Sequence, residues 1–206
     1  SQMGGIQVIT AQENQTSDFP ILLRECLEIQ SVGGYTGMYM EDGTNEIVSD
    51  MMMLIVQNKS QKDLQLANIN LTYGDFVAEF EVTNLPAGQS VVVLEKNRRA
   101  YTDLAYKEAS IENVIFFKDP MSIREDLVEI RGGEGYLDVK NITDKPLGMI
   151  YIYYKNSAAD IYYGGITYRA KITEAIRPGE TLRVAAGHYA PGASTVLWVQ
   201  VPESVE

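Results

Sequence analysis

Apolar and polar residues alternate along much of the chain, and this period of two predicts β-strands. Between residues 76 and 82 every second residue is apolar, and glutamates occupy intervening positions. The same alternation recurs between residues 168 and 173, with Arg169 and Lys171 at polar positions. A period of two places one face of a strand on a core and the other mostly in water. One short segment, residues 101–108, is predicted to be helical instead.

Turn residues separate the predicted strands at short intervals. Asp42 and Gly43 predict a type I′ hairpin turn, because both residues accept positive φ. Pro86–Gly88 and Pro178–Gly179 predict two further turns, since proline fixes φ and glycine supplies the positive φ that follows. Many short strands with turns every roughly 8–12 residues are typical of β-sandwiches. The predicted fold class is therefore all-β.

The sequence uses one strand–corner–strand pattern twice. Four residues of the first half match four of the second at one constant offset: Val56, Asn58, Ser60 and Leu64 match Val139, Asn141, Thr143 and Leu147. The turn glycines Gly88 and Gly179 follow in the same order. Matching segments in a fixed order are what a duplicated domain leaves behind. We therefore predict two tandem, duplicated immunoglobulin-like β-sandwich domains.

The domain bounds follow from breaks in the strand pattern. Residues 1–20 are polar and end at Pro20, which predicts a tail or linker. Asp119–Pro120 marks the boundary between the domains, because proline restricts the residue before it and ends strand pairing. The predicted domains are 21–118 and 119–206.

Charge and hydropathy limit the partners. The net charge of −11 leaves no basic footprint for nucleic acid and disfavours anionic lipid. No stretch approaches the roughly 20 apolar residues of a transmembrane helix, so no transmembrane segment is predicted in this chain. The beginning at Ser1, before Gln-Met-Gly-Gly, is typical of a processing or cloning boundary, and removal of an export signal or anchor at this point is one hypothesis.

Candidate catalytic and metal-binding residues are sparse. His188 is the single histidine, so sites that need two histidines are excluded, and Cys26 is the single cysteine, in an apolar strand. We predict no cofactor and no metal site. Two carboxylate pairs, Glu79 with Glu81 and Glu125 with Asp126, keep a carboxylate-only glycoside hydrolase open as an alternative. Residues 41–46 offer clustered oxygens for calcium, although a hairpin already explains Asp-Gly.

The chain has four Asn-x-Ser/Thr sequons, at Asn14, Asn58, Asn70 and Asn141. Asn58 and Asn141 recur at the same place in both halves. Asparagine side chains hydrogen-bond the backbone where a strand turns. We therefore predict a structural role for these two asparagines, together with Gly88 and Gly179.

Tyrosines concentrate in the second half and are the best candidates for binding a ligand: Tyr151, Tyr153, Tyr154, Tyr162 and Tyr163. Exposed tyrosine rings stack on sugars or anchor a protein partner. Tyrosine is also favoured in strands, where half-buried rings need no ligand. A ligand-binding role predicts exposed coplanar rings, whereas a purely structural role predicts rings that are packed inside a sandwich.

Four features resemble those of the FxLYD-type immunoglobulin-like domains of exported bacterial proteins: the corner at Asn58, the strand ending at Tyr73, the Gly74–Asp75 turn and the Pro86–Gly88 turn. The resemblance covers residues 53–94 best and 136–184 less closely. Tyr73–Gly74–Asp75 departs from the usual Tyr-Asp order. The resemblance implies a surface or envelope protein and transfers no catalytic residue.

Together these observations predict a non-enzymatic interaction or adhesion module of an exported or cell-surface bacterial protein. Its expected partner is a protein or a surface glycan, and a nucleic acid is not expected. The alternatives are a carbohydrate-binding module that uses the tyrosines of the second half, and the carboxylate-only hydrolase.

Overall fold

The computed structural model describes residues 7–10 and 19–202, and these residues form β-strands without any helix. The all-β prediction is confirmed. Among the described residues, eight strands precede residue 120: β1 (Gln7–Thr10), β2 (Ile21–Leu23), β3 (Leu27–Met38), β4 (Ile47–Asn58), β5 (Leu64–Thr72), β6 (Val77–Leu85), β7 (Ser90–Leu94) and β8 (Glu108–Phe116). Six follow: β9 (Val128–Gly133), β10 (Tyr136–Asn141), β11 (Ile150–Ala158), β12 (Ile161–Ile172), β13 (Thr181–Ala185) and β14 (Ser194–Gln200).

The chain forms two compact units. Of the described residues, 7–10, 19–120 and 158–166 form the first unit, and 121–157 and 167–202 form the second. The break at Pro120 lies two residues from the predicted one, but the prediction had assigned residues 158–166 to the second domain. These residues belong to the first unit because Ile161–Tyr163 pair in parallel with β7.

The first unit has two sheets. In one sheet β3, β4 and β7 are neighbours, with β1 and β2 paired to β3 and with Ile161–Tyr163 of β12 paired to β7. The other sheet has the order β6-β5-β8. The main core of the unit contains buried residues of both sheets, among them Leu54, Val56 and Phe80.

Strand β4 is buried on both of its faces. Met52, Leu54 and Val56 belong to the main core, whereas Met51 and Met53 belong to a second cluster that includes Tyr35, Leu94 and Tyr163. A strand that is covered on both faces needs apolar residues at every position. This explains the continuous apolar run from residue 51 to residue 56.

The second unit repeats this arrangement with fewer residues. One sheet has the order β13-β10-β9, and in the other β11 lies between β12 and β14. The buried cluster of the unit contains Leu137 and Val139 from the first sheet and Ile150, Ile152 and Tyr154 from the second. Strand order in the two units is therefore the same: β3-β4-β7 corresponds to β9-β10-β13, and β6-β5-β8 corresponds to β12-β11-β14.

Two local predictions were wrong. Residues 101–108 are not helical, because their backbone pairs with strands: Tyr101 N donates to Asp50 O at 2.9 Å, and Lys107 N donates to Thr72 O at 2.7 Å. The Asp42–Gly43 hairpin is present, but Gly43 alone of the two residues has positive φ. The turn is closed by Gly43 N, which donates to Met40 O at 3.0 Å, so it is not type I′.

Candidate binding face

The two corner asparagines make the same hydrogen bonds in the two units. Asn58 is fully buried, and its amide nitrogen donates to Lys62 O at 2.9 Å and to Leu85 O at 3.0 Å. Its oxygen accepts from the Ser60 backbone N–H at 3.0 Å and from the Ser60 hydroxyl at 2.7 Å. Gly88, at φ 80°, donates its N–H to Asn58 O at 2.8 Å.

Asn141 is also fully buried, and its amide nitrogen donates to Lys145 O at 2.7 Å and to Ile176 O at 2.8 Å. Its oxygen accepts from the Thr143 backbone N–H at 2.8 Å and from the Thr143 hydroxyl at 2.7 Å. Gly179, at φ 77°, donates to Asn141 O at 2.8 Å. In each unit the asparagine thus connects the corner to the turn that brings the chain back.

The five tyrosines that were predicted to bind a ligand lie in different surroundings. Tyr154 and Tyr163 are buried, with 2% and 8% of their surface exposed. Tyr154 packs in the core of the second unit, whereas Tyr163 and Tyr162 belong to the first unit. The five rings therefore do not form one exposed group: strand alternation turns Tyr154 and Tyr163 inward, and Tyr162 packs against the main core.

Tyr151 and Tyr153 point away from the core of the second unit. The residues between and beside them, Ile150 and Ile152, are fully buried, and the two tyrosines are half-buried. Their strand pairs with β14, which brings Trp198 opposite Tyr153. Together with neighbours on β12 and β14 they form what we call the aromatic–cationic face: Tyr151, Tyr153, Arg169, Lys171, Trp198 and Gln200.

The rings of Tyr153 and Trp198 stack on each other. Their centroids are 4.4 Å apart and their planes differ by 7°. The Tyr153 hydroxyl donates to Gln200 Oε1 at 3.0 Å, which fixes the outer end of the ring. Each ring has one face against the other, so the pair does not form the side-by-side platform on which a sugar chain would lie flat.

Two cations flank Tyr151. The Arg169 guanidinium carbon is 5.0 Å from the centroid of the ring, and Lys171 Nζ is 5.7 Å from it. Both side chains belong to exposed residues. Among residues 19–202, neither forms an ion pair with a carboxylate. A cation over an exposed ring gains about 0.5–1 kcal/mol, which orients the charge without neutralising it.

Sequence reasoning found two of the six residues as site candidates. Arg169 and Lys171 were recognised only as the polar positions of an alternating strand, and Trp198 and Gln200 were not selected. The alternation within β14 carries the signal that Trp198 and Gln200 share one side. Their position beside Tyr153 depends on which strand β14 pairs with, and the sequence of β14 alone does not predict that pairing.

The oxygen-rich segment 41–46 already holds a cation from the protein. Arg98 Nη2 is 2.6 Å from Asp42 Oδ2 and 3.1 Å from Glu46 Oε1. The Thr44 hydroxyl donates to Asp42 Oδ1 at 2.7 Å and, with the Arg98 guanidinium, lowers the pKa of Asp42. In the described part of the chain, no three His, Cys, Asp or Glu side chains are grouped to hold a metal ion. The calcium hypothesis is therefore not supported.

Two of the four carboxylates considered for hydrolysis, Glu79 and Asp126, have structural partners. Glu79 Oε2 accepts from Asn97 Nδ2 at 2.8 Å. Arg124 binds Asp126 with two hydrogen bonds of 3.0 Å, and this lowers the pKa of Asp126. A general acid in a glycosidase needs a raised pKa, which is the opposite direction.

A buried carboxylate that sequence reasoning missed organises the loop after β7. Glu95 is fully buried, and it accepts backbone N–H groups of Glu79, Asn97 and Arg99 at 2.8, 2.7 and 2.9 Å. Buried charge is tolerated when hydrogen bonds satisfy it. Glu95 therefore has a structural role, and its position directly after an apolar strand gave no signal of burial.

His188 and Cys26 serve the packing of their units. The His188 ring stacks on Tyr168 with centroids 4.1 Å apart, and the Asn156 amide donates to His188 O at 3.1 Å. Cys26 Sγ donates to Leu23 O at 3.4 Å, and burial raises the pKa of the Cys26 thiol. A raised pKa disfavours the thiolate that a nucleophile requires.

An apolar cleft of about 400 Å³ lies in the second unit, and none of the five candidate tyrosines lines it. Its charged lining residues are Glu125 and Glu129, and the other lining residues are aliphatic or aromatic, including Val128, Ile130 and Tyr189. Glu129 is 3.4 Å from Arg131. A small-molecule site usually combines an apolar lining with several convergent polar groups, which this cleft does not offer.

No protein-family model matches the chain, and no similar curated protein was found. Within the residues that the structure describes, no helix is long and apolar enough to cross a membrane.

Proposed function

We propose that this chain is a non-enzymatic interaction or adhesion module of an exported or cell-surface bacterial protein, built from two duplicated immunoglobulin-like domains. The shared strand order of the two units and the matching hydrogen bonds of Asn58 and Asn141 support the duplication. The resemblance of residues 53–94 to domains of exported bacterial proteins supports the location.

The observation that carries the proposal is the aromatic–cationic face. Tyrosine, tryptophan and arginine are the residues most enriched among those that dominate protein–protein binding energy. Here they lie together on an outward sheet face, and the stack of Tyr153 on Trp198 limits the side-chain entropy that binding would cost. This favours a protein partner over a glycan.

The experiment measures binding of the labelled protein to an array of purified cell-surface and matrix proteins, printed beside purified glycans. We expect saturable binding to a protein, weakened at least about tenfold in the double variant Tyr153→Ala, Trp198→Ala. The matched control is Tyr136→Ala. Tyr136 also lies under an arginine, with Arg183 at 3.7 Å from its ring centroid, but on the other sheet of the unit.

Three outcomes would contradict the proposal. If the protein binds none of the printed proteins saturably, the proposal of an interaction module is wrong. If the double variant and Tyr136→Ala weaken protein binding equally, the binding site does not lie on the aromatic–cationic face. Saturable binding to glycans alone would favour the carbohydrate-binding alternative.

A further inference from the structure

The charges of the aromatic–cationic face specify a partner more narrowly than the rings do. Arg169 and Lys171 are exposed and outside any ion pair within residues 19–202, in a chain whose net charge is −11. We infer that the partner of this face is an acidic polypeptide segment in extended conformation. This inference rests on the proposed function and adds the chemistry of the ligand.

The spacing of the two cations fits an extended chain. Arg169 and Lys171 are alternate residues of β12, so their Cα atoms are roughly 7 Å apart. Alternate side chains of an extended peptide have the same spacing. Two acidic residues separated by one residue can therefore meet both cations at once.

The rings restrict the ligand further. Tyr153 and Trp198 cover one face of each other, and Arg169 and Lys171 flank Tyr151. A sugar that stacks on an aromatic ring needs a flat, open ring face, and the stack covers one face of both Tyr153 and Trp198. An acidic polypeptide can bring its carboxylates to the two cations of the face. Its apolar side chains can contact the edges of the aromatic rings.

The local charge of this face is opposite in sign to the net charge of the chain. Like-charge contacts oppose association, so an acidic partner is disfavoured over most of this acidic chain. At the face, two cations that form no ion pair within residues 19–202 reverse that preference locally. Repulsion over the acidic surface and attraction at this face would thus both contribute to the orientation of the partner.

The test measures binding of immobilised protein to a random copolymer of glutamate and tyrosine, with polygalacturonate as a separate anionic glycan probe. The variant Arg169→Gln, Lys171→Gln is compared with Arg131→Gln, Lys140→Gln. The control removes the same charge from exposed residues of the other sheet of the second unit. We expect the wild-type protein to bind the copolymer, and only the first variant to bind it roughly five- to tenfold more weakly. High salt should weaken the binding of the wild-type protein and so reduce this difference.

Several results would overturn the inference. These are failure of the wild-type protein to bind the copolymer, equal weakening in both variants, and charge-dependent binding of polygalacturonate without binding of the copolymer. The array of the preceding section separates the two proposals. If the Tyr153 and Trp198 variant loses its protein ligand while Arg169→Gln, Lys171→Gln retains it, the interaction module stands and the acidic partner is wrong.

Discussion

At the scale of single residues, the corner asparagines carry the clearest structural role. Each is fully buried, donates two hydrogen bonds to carbonyls and accepts two from the next serine or threonine. Removal of a buried side chain with such bonds leaves backbone carbonyls unsatisfied, and each unsatisfied group costs about 1–3 kcal/mol.

Asn58→Ala and Asn141→Ala should therefore each lower the free energy of unfolding by about 2–4 kcal/mol. Urea unfolding followed by tyrosine fluorescence measures the loss. Asn70→Ala is the control, because Asn70 belongs to an Asn-x-Ser/Thr sequon but makes one 3.3 Å bond to Glu112 on an exposed strand face. Equal losses in all three variants would show that the corner bonds are not what stabilises the units.

Three buried tyrosines of the first unit set the behaviour at alkaline pH. Burial raises the pKa of Tyr35, Tyr39 and Tyr73 to about 12, from an ordinary value of 10. Because the folded pKa is raised, the unfolded chain loses these protons first. The contribution to stability is complete below pH 10 and is lost as the pH rises towards 12.

We expect the free energy of unfolding to fall between about pH 10 and pH 12, by up to roughly 1.4 kcal/mol per pH unit for each of the three groups. Tyrosinate absorbance, recorded with circular dichroism, checks this. Part of the tyrosine titration should coincide with loss of β-structure. Complete titration below the unfolding transition would contradict the burial of these hydroxyls.

Among single residues, sequence reasoning succeeded where a pattern recurred and failed where burial decided the role. Asn58 and Asn141 could be selected because they share one offset in two halves. Tyr154 and Tyr163 could not be recognised as buried, because the facing of a side chain depends on which strands cover it. Glu95 gave no signal at all, since a buried carboxylate is identified only by the N–H groups around it.

At the scale of elements, the segment Ala158–Ile166 is the least expected feature. It completes the first unit beside β7, and Thr83 Oγ1 donates to Gly165 O at 2.7 Å. Glu41 accepts the Gly165 and Ile166 N–H groups at 3.1 and 3.0 Å. A parallel pairing between residues some 70 positions apart leaves no local signature, so the sequence alone could not reveal it.

Gly165→Ala should prevent this segment from docking in the first unit. A Cβ atom at residue 165 would lie 1.8 Å from Glu81 O, a backbone atom that cannot move aside alone. Hydrogen exchange of residues 158–166 and of β7 should accelerate. Gly74→Ala is the control, because its nearest neighbour is the end of the Lys107 side chain at 3.9 Å. Unchanged protection in Gly165→Ala would contradict the placement of the segment.

The hairpin of β9 and β10 depends on glycine in a different way. The Tyr189 ring packs on Gly132, where a Cβ atom would lie 2.0 Å from a ring carbon. Gly132→Ala should therefore lower the free energy of unfolding by about 1–3 kcal/mol through overpacking. Gly187→Ala, which adds a methyl group where nothing lies within 4 Å, should change stability little. Similar unfolding midpoints for the two variants would show that the ring does not occupy this place.

The strand pattern itself was largely readable from alternation and turn residues, and the helix at 101–108 was the main failure. Helix propensity is a weak preference that tertiary pairing overrides. There, Tyr101 and Tyr106 pack against the main core while the backbone pairs with neighbouring strands. A short segment of this kind is decided by its neighbours in space.

At the scale of the whole molecule, the acidic charge and the aromatic–cationic face act together. The net charge of −11 disfavours acidic partners over most of the surface. One sheet face of the second unit presents rings with two cations that form no ion pair within residues 19–202. Sequence reasoning pointed to tyrosines of the second half but could not assemble the face, because its members come from three strands.

The most direct measurement is a hydrogen-exchange footprint of the protein with and without the protein ligand selected on the array. We predict that protection on binding concentrates at Tyr151–Tyr153 of β11, Arg169–Lys171 of β12 and Trp198–Gln200 of β14. The opposite sheet, β13-β10-β9, serves as the internal control and should not change. Protection centred on that sheet or on the first unit, with the aromatic–cationic face unchanged, would contradict the proposed binding surface.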